Sequence, residues 1–154
     1  MDSPGCAEPQ VTQQDLERLA QLRNALRRYL AWAEERAREH DLTPAQYQLA
    51  LAVGTHTDPL GPTLSDLADI LLLRHHSVVG LVDRAEAAGL VRRERDDRQQ
   101  TRVHVTLTPR GSELLATLSD LHLRELAELA PEMRELWGAF EQGRAPASAE
   151  RPPG

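Results

Sequence analysis

The alternation of apolar and polar positions divides the chain into elements. From Thr12 onward, Leu16, Leu19, Leu22, Leu26, Leu30 and Ala33 recur at spacings of three and four, which is one stripe along a helix. Nothing interrupts that stripe until about His40. A helix of about 28 residues is roughly 40 Å long. A single small domain does not cover that length, so the pattern predicts a subunit interface along part of it. Residues 1–11, with Pro4, Gly5 and Pro9, read as a loose tail.

A second helix is expected from Thr43-Pro-Ala-Gln46. Thr43 is a capping residue, Pro44 suits the first helical position and Gln46 completes a capping box. It runs to about Val53 and ends at Gly54, before a turn-rich loop from His56 to Pro62. Thr63 restarts a helix with Asp66 three positions on, and Leu64, Leu67, Ala68 and Leu71 form its buried stripe. Leu72-Leu-Arg74 is a short turn. The helix that follows turns Val78, Leu81, Val82 and Ala85 inward, and Gly89 stops it with Leu90 as an apolar clasp.

Val91–Arg95 and Arg102–Leu107 then read as two strands around Asp96-Asp-Arg-Gln-Gln-Thr101. Val103, Val105 and Leu107 alternate with His104 and Thr106, the pattern of a half-exposed strand whose outer face carries His104. Thr108-Pro-Arg-Gly111 opens a helix carried by Leu114, Leu115, Leu118, Leu121, Leu126 and Leu129. Pro131 is expected to break or kink it, leaving a short amphipathic helix with Met133, Leu136, Trp137 and Phe140. Residues 143–154 read as a second tail.

The expected fold class is therefore mainly α with a small β wing. A winged helix-turn-helix lobe at about 43–107 lies between terminal dimerisation helices at about 12–40 and 109–142. Two helices joined by a tight turn let the second enter a DNA major groove, and a ribbon beside it reaches along the sugar–phosphate backbone.

Charge first argues against that reading and then for it. The chain carries −6 overall. Residues 74–110 hold eight Arg against five acids, a local balance of +3, which leaves −9 for the remainder. An acidic body with a basic head suits a protein that meets DNA through one face. All 18 cationic side chains are Arg, a choice that codon bias explains as well as phosphate recognition does. With 3% aromatic residues and 40% hydrophobic ones, the core is expected to be Leu, Ala and Val. No run approaches the roughly 20 apolar residues of a membrane span, and the N-terminus lacks the basic and apolar stretches of a signal peptide, so the expected location is the cytoplasm. The single Cys6 permits no intrachain disulfide. Nothing next to it lowers a thiol pKa.

The residues expected to meet DNA are Thr63, Ser65, Arg74, His75, His76, Ser77, Gly80, Arg84, Arg95, Arg98 and Arg102. Thr63 and Ser65 stand at a helix N-terminus, where donors point at phosphate, although Thr63 reads first as a cap. His75, His76 and Ser77 open the recognition helix and can donate to phosphates or base edges. Gly80 costs helix stability, which close approach to DNA or to a neighbouring helix would justify. Arg84 either reaches a phosphate or pairs with Asp83 or Glu86. Arg92, Arg93, Arg95, Arg98 and Arg102 make a wing cluster suited to phosphate or minor-groove contact. Tyr29, Trp32 and Tyr47 are the candidates to line a pocket for a small aromatic effector, and aromatic residues at helical spacing serve equally as packing. His40, Asp41 and His122 lack the close spacing of a metal motif, so neither metal nor cofactor is expected. No nucleophile–base pair or Gly-rich phosphate loop is present, so no enzyme is expected.

The phrases Leu42-Thr-Pro-Ala-Gln46, Leu81-Val-Asp-Arg84, Gly89-Leu-Val-Arg-Arg93 and Leu107-Thr-Pro-Arg-Gly111 occur in order around the wing. In them, over roughly residues 12–142, the chain resembles the MarR family of bacterial transcriptional regulators. The resemblance implies a two-fold homodimer with interlocked terminal helices. It implies recognition helices in successive major grooves of a pseudo-palindromic operator, with half-sites about one turn apart. It also implies repression released by a small, often phenolic, ligand. A winged-helix protein without an effector, or one adapted to bind proteins, is the alternative. The chain departs from the family in two places. Arg74 stands where a Ser or Thr cap is usual. Asp96-Asp-Arg98 spells the family's Asp-x-Arg wing signature three residues earlier than the spacing from Leu107 would put it, which leaves Arg98 or Arg102 for the minor groove.

Overall fold

The computed structural model describes residues 11–95 and 102–143, with only the backbone at 141–143. Both expected tails lie outside those residues, apart from Val11 and Gly143. Five helices and one antiparallel ribbon follow in order. They are α1 (Gln13–Glu39), α2 (Pro44–Gly54), α3 (Leu64–Leu71), α4 (His75–Ala87), β1 (Val91–Arg95), β2 (Val103–Leu107) and α5 (Pro109–Gly143).

The chain forms two compact units. One comprises residues 31–125 and the other residues 1–30 with 126–154. The first holds the core: Leu42, Leu49, Leu67, Val78, Val82, Val91, Val105 and Leu118 are among its buried side chains. In the second, α1 and α5 are joined by an ion pair from Arg28 to Glu132 at 2.7 Å, and Ala25 is buried. Leu16, Leu19, Leu26, Leu30 and Trp137 remain 45–59% exposed there.

Local chemistry accounts for the helix starts. Thr43 accepts from the Gln46 amide while the Gln46 side chain accepts from the Thr43 amide at 2.9 Å, so two otherwise orphaned donors are satisfied. Thr63 and Asp66 repeat the device on α3, with Thr63 N donating to Asp66 Oδ2 at 2.8 Å. Leu72 closes α3 in the left-handed region, at φ 54°. Its side chain is 91% exposed, which lets the chain reverse into α4 without burying an awkward residue. Gly89, at φ 71°, ends α4 as expected, and Leu90 N bonds Ala85 O at 3.0 Å.

The ribbon pairs Val91 with Leu107 and Arg95 with Val103. A third segment joins it: Thr63 bridges His104, and Val105 N donates to Pro62 O at 2.9 Å. This corrects the expectation for His104. It does not face solvent but is buried, with Nδ1 2.7 Å from Gly61 O. A carbonyl only accepts, so Nδ1 carries the hydrogen. Gly61 is required here, because at φ 85° a Cβ would overlap the Val105 carbonyl oxygen.

The break expected at Pro131 does not occur: α5 runs unbroken for 35 residues. Proline removes one N–H and crowds the carbonyl four residues back. Here Pro131 is exposed, the facing position is the small Ala127, and long stretches of good helix formers flank both sides.

Candidate nucleic-acid interface

α3, the Leu72–Arg74 turn, α4 and the ribbon all belong to the unit of residues 31–125. On α4, Val78, Leu81, Val82 and Ala85 are buried. The opposite face carries His76, Gly80 and Arg84 at spacings of four, with His75 and Asp83 beside them, and all but Gly80 are exposed. Ser77 is half-buried at the flank. Arg74 is the N-cap of α4; its side chain makes no capping bond and is exposed.

A methyl group placed on Gly80 would lie 3.4 Å from Arg84 Nη1 and meet nothing else within 4 Å. Packing against another helix therefore does not explain this glycine. The Arg84 guanidinium lies back over it, along the direction in which helical side chains lean.

The charges are partitioned between α4 and the ribbon. Arg93 Nη2 lies 2.6 Å from Asp83, and its Nη1 lies 2.6 Å from Glu86. The Arg93 amide also donates to Glu86 Oε1 at 3.0 Å. Partial burial works against the Arg93 cation, but the hydrogen bonds to Asp83 and Glu86 outweigh it and raise its pKa above the ordinary value. Arg92 bonds Glu94 at 2.6 Å and the Thr106 hydroxyl at 3.2 Å. Within the wing cluster, Arg92 and Arg93 thus form ion pairs inside the protein. Arg74, Arg84, Arg95 and Arg102 are exposed and make no ion pair among the described residues. Arg98 lies outside the described residues.

An open cleft of about 410 Å³ brings together Ser65 and Asp66 of α3, His75 of α4 and Arg102 at the base of the wing. Thr63 lines it too, but its hydroxyl donates to Asp66 Oδ2 at 2.7 Å, so that donor is spent inside the helix cap. Ser65 is the hydroxyl left facing solvent. Thr63's backbone amide, then its hydroxyl, hold the Asp66 carboxyl below its ordinary pKa of 3.8.

The aromatic candidates separate. Tyr47 and Trp32 both pack on His122, with ring centroids 4.6 Å and 5.2 Å away. Tyr47 is buried, and its hydroxyl lies 3.4 Å from Ser119 Oγ. Burial pushes His122 below its ordinary pKa of 6.5. Tyr29 belongs to the other unit. Among the described residues no group of three or more His, Cys, Asp or Glu could hold a metal ion. No helix among them is long and apolar enough to cross a membrane.

Sequence reasoning missed the Arg93 clamp. The signal was present: Asp83 and Glu86, three apart on one helix face, precede an Arg-bearing strand by a single tight turn.

The model of the MarR family matches residues 40–100. No curated protein sequence matches the chain. Among solved structures, AbsC, a MarR family transcriptional regulator from Streptomyces coelicolor, superposes with a TM-score of 0.71 at 17% identity, over 88% of this chain and 93% of that one. The MepR–DNA complex of S. aureus gives 0.61 at 22% identity, covering 87% and 96%. BpsR of Bordetella bronchiseptica, whose DNA binding is regulated by 6-hydroxynicotinic acid, gives 0.59 at 20%, covering 94% and 100%. At these identities the likeness establishes a shared fold.

Proposed function

We propose that this chain, whose residues 40–100 match the model of the MarR family, is a homodimeric transcriptional repressor of a pseudo-palindromic operator in double-stranded DNA, released by a small aromatic effector. The observation that carries the DNA-binding part is the partition of charge. The acids of α4 and β1 are bound by Arg92 and Arg93, while Arg74, Arg84, Arg95 and Arg102 stay exposed and make no ion pair among the described residues. Cations left unpaired on a helix-turn-helix and its wing neutralise phosphates. His75, His76, Ser77 and Gly80 stand on or beside the exposed face of α4, and Ser65 opens α3. Arg98 and Arg102 both remain candidates for the minor groove.

Dimerisation is supported by the exposed leucines of α1 and by Trp137 of α5, since apolar side chains in such a row favour a partner surface. A second copy of the chain supplies a matching row through two-fold symmetry. The effector reading is supported by BpsR, a protein of the same fold under such control. Trp32 and Tyr47 are the residues proposed to meet the ligand, through the aromatic cluster around His122.

The test is binding to a labelled duplex from the region upstream of the chain's own gene, against a shuffled duplex, at two salt concentrations. Selective, salt-sensitive binding as a dimer, weakened in Arg102→Ala and Arg98→Ala, is the expected result. Equal weak binding to both duplexes, with no salt dependence, overturns it. A panel of aromatic acids then tests release, and unchanged affinity across the panel removes the effector from the proposal.

A further inference from the structure

The exposed face of α4 has one long cationic side chain that makes no ion pair among the described residues. Arg84 is the only Arg within His75–Ala87. The positions three and four residues away are Gly80, Leu81, Ala87 and Ala88, so no acid stands at pairing distance along the helix. The acids on neighbouring positions, Asp83 and Glu86, are engaged by Arg93 from the ribbon at 2.6 Å each. The guanidinium of Arg84 lies over Gly80, in the row His76–Gly80–Arg84. That row is on the side of α4 opposite the buried Val78 and Val82.

We propose that Arg84, lying in the space left by Gly80, is the base-reading residue of α4 and selects a guanine at one position in each half-site. This rests on the DNA-binding reading above. When a helix lies in the major groove, its outermost row faces the base edges, while the helix ends and the wing meet the backbone. Folded back over residue 80, the guanidinium sits in the middle of that row rather than at the margin. A guanidinium there donates two parallel hydrogen bonds to guanine O6 and N7, an arrangement no other base offers. Any side chain at position 80 larger than a methyl group would take the same space. Arg93 has a positioning role in this scheme. By pairing with Asp83 and Glu86 it offsets one of their two negative charges beside the groove-facing row and ties the ribbon to α4.

The experiment is selection of duplexes from a randomised pool by the wild-type dimer. Affinities for the selected duplex and for each single-base-pair variant are then measured with Arg84→Ala, Arg84→Lys and Gly80→Leu. Thermal melts confirm that each variant folds. Arg84→Ala is expected to lose about tenfold or more of its preference for G·C at one symmetric pair of positions, with preferences elsewhere unchanged. Arg84→Lys is expected to lose most of that preference, since an ammonium lacks the two-pronged donor. Gly80→Leu is expected to lose it with the charge intact. Arg84→Ala binding that weakens alike on every duplex, with the slope of log affinity against log salt reduced by about one, would make Arg84 a phosphate contact and overturn the proposal. Full retention of the G·C preference in Arg84→Ala overturns it as well. A wild-type protein that selects no sequence at all counts instead against the DNA-binding reading.

Discussion

Gly61 and Gly89 both adopt positive φ, at 85° and 71°, yet only one of them is crowded. A Cβ on Gly89 meets nothing within 4 Å, whereas one on Gly61 overlaps the Val105 carbonyl and comes within 3.2 Å of its carbon. Replacing each by Ala therefore separates conformational strain from close approach. Gly89→Ala carries the left-handed penalty alone, about 1–2 kcal/mol. Gly61→Ala carries the same penalty and must push residues 61–63 off β2. That displacement strains the His104–Gly61 bond of 2.7 Å and the Val105–Pro62 bond of 2.9 Å. At roughly 1 kcal/mol for each bond, the total is about 3–4 kcal/mol. The assay is urea unfolding at fixed protein concentration. With a slope of about 2 kcal/mol/M, the midpoint should fall by roughly 1.5–2 M for Gly61→Ala and by less than about 1 M for Gly89→Ala. Equal losses in the two variants would refute the argument that backbone approach, rather than φ, dictates glycine at 61. DNA affinity gives a second reading: Gly61→Ala should weaken binding because the wing loses its third segment, while Gly89→Ala leaves that segment in place.

Other outcomes follow from single groups. Thr63→Ala should cost about 1 kcal/mol by removing the α3 cap. Because Thr63 holds the Asp66 pKa below 3.8, the stability from this pair is present above that pH and lost as pH falls through the lowered value; acid titration of the melting temperature in wild type and variant should show the dependence shrinking in Thr63→Ala. His122 moves the other way in cause but the same way in pH. Its pKa is lowered by burial, so the unfolded chain takes up the proton first and stability falls as pH drops below about 6.5. His122→Phe should flatten that fall, and an unchanged slope would contradict it. Gly80→Ala should raise stability by up to about 1 kcal/mol, since the added methyl meets only the tip of Arg84 at 3.4 Å; a loss of stability in the same urea assay would show that the site is tighter than this.

What was legible in the sequence was local. Thr43 with Gln46 and Thr63 with Asp66 announce helix starts because both partners lie within one turn. Gly89 announces a stop, and Val103, Val105 and Leu107 announce a strand, for the same reason. His104 was misread because its partner, Gly61, is 43 residues away in sequence, and alternation alone cannot see a segment laid against the other face. Arg93 was grouped with the other wing arginines because five Arg around a ribbon look alike; only the fold shows which of them reaches back to Asp83 and Glu86. Pro131 was weighed by its usual effect on a helix, without the long run of helix formers on both sides of it. The α1 leucine stripe was legible as a stripe, and the structure adds how much of it stays exposed.

The wing also bears on how the protein avoids aggregating. A two-stranded ribbon has two outer edges, each a row of backbone groups that another chain could join. Here the outer edge of β2 is taken by Thr63 and Pro62. On β1, the Arg93 amide is taken by the Glu86 carboxylate, and Arg92, Arg93, Glu94 and Arg95 put charge on four consecutive positions. A projecting ribbon is the part of such a protein most open to strand exchange between molecules. The contacts that hold this one against α4 also deny it to a neighbour, so loosening Arg93 or Gly61 should cost solubility as well as DNA binding.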